Sequence, residues 1–159
     1  MSKLSPGTKA KLSSAKGPAR IINTASDAHQ GATLDFDDLQ SAKNFGAMKA
    51  YSRSKLCNIL FTRELARRLR GTGVTANCLH VGFVATRFGD QSGGTLSRFV
   101  WLAKFFAISP ATGAETIVYL ASSPDVVATT GQYYYKRLPS TPSSAAQDDR
   151  SALLAGINE

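Results

Sequence analysis

Residues 47–81 read AMKAYSRSKLCNILFTRELARRLRGTGVTANCLHV, and the parsing of this stretch decides the fold. Cys57, Phe61, Leu65 and Leu69 recur every four residues, and Leu56, Ile59 and Leu60 widen the stripe. That spacing is one face of an amphipathic helix, predicted over Ala47–Leu69. Gly71 and Gly73 stop it. Gly71 is expected at the first position past the helix end, where a left-handed backbone suits glycine. VTANCLHV, 74–81, then reads as a buried strand.

Upstream, ARIINTAS at 19–26 is a short β-branched run that ends in small polar residues. It predicts a strand over Arg20–Ala25 that opens into a loop at Ser26. The connection 27–50 is polar, with four aspartates and two glycines. So long an excursion within a compact domain is usually functional. Strand, loop, helix, glycine turn and strand make a βαβ unit with parallel strands and a right-handed crossover.

Downstream, GFVATRFGDQSGG at 82–94 is a glycine-rich loop, and LSRFVWLAKFFAI at 96–108 is a mostly apolar, helical stretch. Ser109 as N-cap and Pro110 at the first helical position predict a helix over Pro110–Ala121, ending before Pro124. GQYYYK at 131–136 reads as a third strand. Ser144 and Gln147 are spaced as a capping box for a short last helix. The organisation expected is a polar lead-in (1–19), an α/β body (20–138) and a polar tail (139–159). In such sheets sites form at the carboxyl ends of the strands, which points to Ser26 and to the loop after Val81.

The chain has 159 residues and a formal charge of +8. Its basic residues are not gathered in one patch: some lie in the first twenty positions (Lys3, Lys9, Lys11, Lys16, Arg20) and others on the long helix (Arg53, Lys55, Arg63, Arg67, Arg68), with Arg70 at its end. With little aromatic interleaving, they read as solvated faces, and no nucleic-acid partner is expected. Cys57 and Cys78 make neither a metal cluster nor a CxxC pair, so they read as buried thiols in a reducing, cytoplasmic setting. His29 and His80 alone are too few for a histidine-rich metal site. The apolar stretch Phe99–Ile108 is about half the ~20 residues of a membrane span and contains Lys104, so membrane association is not expected.

On a helix, residues four apart share a face, so Tyr51 and Lys55 point the same way. An ammonium beside a phenol favours the phenolate, which is what a tyrosine acid/base needs. Ser26 ends the preceding strand and can reach the same reacting oxygen. Taken alone, Y-x-x-x-K is a weak signal that a surface tyrosine and a solvated lysine satisfy equally well.

The segments RIINTAS, DFDDLQ, KAYSRSKLCNILFTRELARRLRGTGVTANCLHVGFVAT and GAETIVYLASSPDVVATTGQYY together resemble the short-chain dehydrogenase/reductase family, and most closely its retinol-dehydrogenase-like branch. The resemblance implies part of a doubly wound, Rossmann-like parallel sheet of about three strands with flanking helices. It also implies NAD(P)-dependent interconversion of an alcohol and a carbonyl, with NADP favoured over NAD and an apolar, retinoid- or lipid-like substrate. Ser26 matches the serine that orients and polarises the carbonyl, and Tyr51 the general acid/base. Lys55 matches the lysine that holds the nicotinamide ribose, beside Tyr51. HVGFVAT matches the loop beside the nicotinamide, with Gly82, Val84 and Thr86 in register. Phe99–Ile108 falls where the family closes over its substrate.

Two departures stand out. Val81 replaces the family's proline before Gly82, which loosens that loop. No G-x-x-x-G-x-G occurs in the chain, so the cradle for the pyrophosphate is missing. The chain is therefore expected to be the C-terminal portion of such an enzyme, weakly active or inactive alone, with an exposed edge at the first strand. The partner expected is a second copy of the chain or the missing N-terminal half. The competing expectation is a non-catalytic remnant that serves as an interaction or oligomerisation module.

Overall fold

The computed structural model describes residues 18–43, 45–82 and 109–154. Val84, Thr86 and the apolar stretch 99–108 lie outside the described residues.

Four strands form one sheet in the order β1 (Arg20–Thr24), β2 (Thr75–His80), β3 (Tyr133–Tyr135) and β4 (Leu138–Ser140). β1–β2 and β2–β3 are parallel and β3–β4 is antiparallel. The βαβ unit is as expected: α1 (Ala47–Arg68) joins β1 to β2. Gly71 takes the left-handed conformation as expected, at φ 77°, but stands two residues past the C-cap rather than one, because Leu69 is the C-cap. α2 (Pro110–Ser122) starts as predicted, with the Ser109 hydroxyl accepting from the Thr112 N–H at 3.1 Å.

β4 was not foreseen. Pro139 cannot donate to a ladder, and an edge strand is where a proline is tolerated. The β3–β4 turn places Lys136 and Arg137 at φ 48° and 66°. A two-residue turn of the kind that matches strand twist needs positive φ at both positions, normally from Asn-Gly, so no turn signal shows in the sequence. The tail forms α3 (Ser144–Gln147) and α4 (Asp149–Leu154). The capping box does not form: Ser143 is the N-cap without a side-chain bond, and the Gln147 amide donates instead to the Pro142 carbonyl at 2.9 Å.

Alternation along the strands shows which helix covers which face. Cys78 packs with Leu56, Ile59 and Leu60 of α1, and Ala76 with Leu65 and Ala66. Leu79, one residue on, packs with Leu120 of α2 and with Val126 and Tyr134. Successive strand residues face opposite sides, so α1 and α2 cover opposite faces, the doubly wound arrangement. β1 repeats the pattern, with Ile21 on the α1 side and Ile22 on the α2 side. Each fully buried leucine or isoleucine in these layers stabilises the fold by about 1.5–3 kcal/mol.

β1 ends the sheet among the described residues. Arg20 ties it to α2, donating from Nη1 to the carbonyls of Leu120 (3.0 Å) and Ser123 (2.8 Å). A cation there satisfies the last carbonyls of the helix and complements its dipole.

Candidate active site

The crossover fixes where the site lies. α1 feeds β2 at the start of the strand, so its first turns stand over the carboxyl ends of β1 and β2. Ser26 follows β1 there, and Gly82 follows β2. The α1 face that carries Tyr51 and Lys55 continues one and two turns on as Asn58 and Thr62. Asn58 donates from Nδ2 to the Thr24 carbonyl at 3.0 Å. Thr62 accepts from Asn23 Nδ2 at 2.9 Å. These two bonds hold the face against the end of β1, two residues before Ser26.

Tyr51 and Lys55 are both half-buried, and the Lys55 Nζ lies 5.4 Å from the centre of the Tyr51 ring. The expected shared face is therefore present, with the cation over the ring at cation–π distance. Ser26 is extended (φ −161°, ψ 153°) and caps a single 3-10 turn, Asp27–His29. Its Oγ accepts from the Ala28 N–H at 3.2 Å. A hydroxyl used as an acceptor still has its own proton to donate, so Ser26 can offer an O–H to a substrate oxygen.

His29 is 0 % exposed. Its Nδ1 donates to the Ser26 carbonyl at 2.7 Å, and its Nε2 accepts from the Ser143 N–H at 3.0 Å. With one nitrogen donating and the other accepting, the ring is neutral with the proton on Nδ1. It also stands edge-on to Tyr133, centres 5.2 Å apart. Burial pushes the Tyr133 hydroxyl well above the usual phenol range, so it stays protonated.

Gly82 has φ 83° and donates its N–H to His80 Nδ1 at 3.4 Å. His80 stacks on Tyr135 with centres 5.1 Å apart. Burial lowers the His80 pKa, against an opposing pull from Asp27, which favours the neutral ring that accepts from Gly82. Val81 packs beside the Leu79–Tyr134 cluster, so the residue that stands for the family proline adds to the apolar core.

Two expectations are corrected. Arg53 does not belong to a solvated basic face: it is 6 % exposed and donates from Nη1 to the Asp38 carbonyl (2.7 Å) and Ser41 Oγ (3.0 Å). It pins the DFDDLQ segment to α1. Of the two thiols, only Cys78 is buried, whereas Cys57 is half-buried. Burial pushes Cys78 up to about 12 and also raises Cys57, so neither is poised as a nucleophile. Among the described residues no group of three or more His, Cys, Asp or Glu side chains could hold a metal ion. None of their helices is long and apolar enough to cross a membrane.

No family model matches the chain. Human retinol dehydrogenase 14 is 44% identical over 126 residues, which cover 77% of this chain and 38% of that protein. Human retinol dehydrogenase 13 is 37% identical over 147 residues, covering 87% of this chain and 44% of that protein. The chain belongs to the short-chain dehydrogenase/reductase family, on its retinol-dehydrogenase-like branch. The crystal structure of an uncharacterised protein from Mycobacterium paratuberculosis superposes with a TM-score of 0.61 at 26% identity, covering 86% of this chain and 47% of that one. This short-chain dehydrogenase/reductase chain thus spans less than half the length of the curated relatives it matches.

The residues present fit one end of a nicotinamide cofactor. Lys55, with its ammonium 5.4 Å from the Tyr51 ring centre, would suit ribose hydroxyls, and Gly82, at φ 83°, would leave room for a flat ring. The pyrophosphate end finds no such match, since the sequence has no G-x-x-x-G-x-G. Sequence reading missed His29, Asn58 and Arg53. Asn58 alone left a signal, being three residues past Lys55 on the same helix face.

Proposed function

We propose that this chain carries the proton-handling side of an NAD(P)-dependent alcohol/carbonyl oxidoreductase site, with NADP favoured and an apolar substrate. In that reading the Tyr51 hydroxyl gives a proton to the carbonyl oxygen during reduction and takes it back during oxidation. Ser26 donates its O–H to the same oxygen and orients it. Lys55 keeps positive charge beside Tyr51 and binds ribose hydroxyls. Gly82 binds the nicotinamide end of the cofactor, and Val84 and Thr86 follow it in the sequence at the positions that the resemblance assigns to the same task. A bound nicotinamide supplies the hydride, and the protein supplies orientation and the proton path. The observation that carries the reading is the Asn58–Thr24 bond, which seats the Tyr51/Lys55 face at the end of the strand that leads to Ser26.

An exposed apolar group lies ahead of that face and supports an apolar substrate. Met48 is 58 % exposed, one turn before Tyr51, and Phe45 is 75 % exposed just before the helix. The test is NADPH-dependent reduction of retinal by the purified chain, with Tyr51→Phe as control. Turnover, however slow, that falls at least about a hundredfold in Tyr51→Phe supports the reading, since acid/base groups contribute that much. Turnover that survives Tyr51→Phe, or no NADPH-dependent turnover at all, overturns it for this chain. A second reading, an interaction module, is favoured by the end position of β1 among the described residues. It predicts a defined oligomer by sedimentation and no NADPH binding by calorimetry.

A further inference from the structure

We propose that His29 is a positioning residue that couples the C-terminal segment 143–154 to Ser26. It rests on the proposed site for its kinetic consequence but not for its structural one. Three observations carry it. His29 is fully buried, so its two hydrogen bonds have no water to replace them. One bond goes to the Ser26 carbonyl, three residues away, and the other to the Ser143 amide, 114 residues away. The Ser143 amide opens α3, and that tail packs against α1: Ala146 and Ala152 lie in one cluster with Leu56, Ile59 and Ala25.

The ring is thus the one described side chain that holds both the residue ending β1's loop and the start of the tail. Ser26 has a short side chain, so its Oγ direction follows its backbone. That backbone is set by the carbonyl, which takes both the His29 N–H (3.2 Å) and the ring Nδ1. If the tail lets go of Nε2, a buried acceptor is left without a donor, and the ring must turn or take on water. Either movement loosens the carbonyl of Ser26 and the bond that the Ala28 N–H donates to its Oγ.

Ser143→Pro breaks this link. Ser143 has φ −58°, which the proline ring adopts, but the ring carbon replaces the N–H that lies 3.0 Å from His29 Nε2, so the change removes the donor and pushes the His29 ring aside. Amide hydrogen exchange of Ala28 and NADPH-dependent retinal reduction are measured on the full chain. Expected are an Ala28 exchange rate at least tenfold faster and a kcat about tenfold lower, with KM for NADPH within twofold. His29→Asn, which keeps a donor near the Nδ1 position, is expected to keep Ala28 protected while the Ser143 amide exchanges faster. Unchanged Ala28 exchange in Ser143→Pro overturns the coupling. A wild-type chain without turnover overturns the proposed function alone, because Ala28 exchange still decides the coupling. A kcat loss matched by an equal loss in the exchange protection of β2 amides marks general destabilisation, and overturns it too.

Discussion

The Asn58 side-chain amide reaches across from α1 to the Thr24 carbonyl at 3.0 Å, at the last residue of β1. One turn before Asn58 stands Lys55, and two turns before it Tyr51. This bond sets how far α1 slides along the sheet, and so where the Tyr51/Lys55 face falls relative to Ser26. Asn58→Ala is expected to lower stability by about 1 kcal/mol, an ordinary hydrogen bond. Any turnover is expected to fall by more than that stability loss explains. Urea titration and initial rates on the same preparation check both. An unchanged rate with lowered stability shows that the bond only fastens the helix.

Arg53 is a buried cation fixed by two oxygens of the 38–41 turn, and Ser41 there sits at φ 56°. A non-glycine residue holds that backbone only when its surroundings demand it. Arg53→Met is expected to cost about 1.5–3 kcal/mol, since hydrogen bonds from a charged group are lost and their acceptors stay behind. Limited proteolysis is expected to cut first within 35–43. Arg53→Lys is not expected to rescue it, because Nη1 alone makes both bonds and a lysine Nζ stops one bond short of that position.

Glu64 is buried on α1 under Arg67 and Arg68. Arg67 grips it through two bonds of 2.7 Å, and Arg68 through one of 2.6 Å. The Arg67 bonds first, and then that from Arg68, outweigh burial and hold its carboxyl at about 2 against an ordinary 4.5. The folded pKa lies below the unfolded one, so the stabilisation is fully present above about pH 4.5 and fades as pH falls toward about 2. Both arginines are partly exposed and screened by solvent, which keeps the expected cost of Glu64→Gln near 2 kcal/mol at neutral pH. Thermal unfolding between pH 2 and 7 is expected to show a shallower acid slope in that variant.

Lys136 and Arg137 hold the β3–β4 turn with positive φ at both positions. Lys136 also places its ammonium 5.3 Å from the centre of the Tyr135 ring. Replacing Lys136 exchanges that contact for relief of strain, two effects of similar size. Arg137→Gly removes strain alone, since the backbone N–H that Arg137 gives to Thr116 Oγ1 at 3.2 Å remains. It is expected to raise stability by about 0.5–1 kcal/mol, read as a melting temperature a few degrees higher.

The sequence by itself determined the βαβ unit, because helix and strand periodicities are local and the glycines after Leu69 admit no continuation. It also placed Tyr51 and Lys55 on one face, since spacing on a helix is geometry. Tertiary structure alone decided the rest. The charge at Arg53 read as part of a solvated face, and only the fold shows the Asp38 carbonyl and Ser41 hydroxyl that satisfy it, as it alone shows the two arginines over Glu64. The turn at Lys136–Arg137 carries no turn residues, because sheet pairing on both sides forces it. His29 lies in a polar loop with no pattern around it. One partner, Ser26, is three residues away, but the other, Ser143, is 114 residues on, and a hydrogen bond between such distant residues leaves no trace in local order.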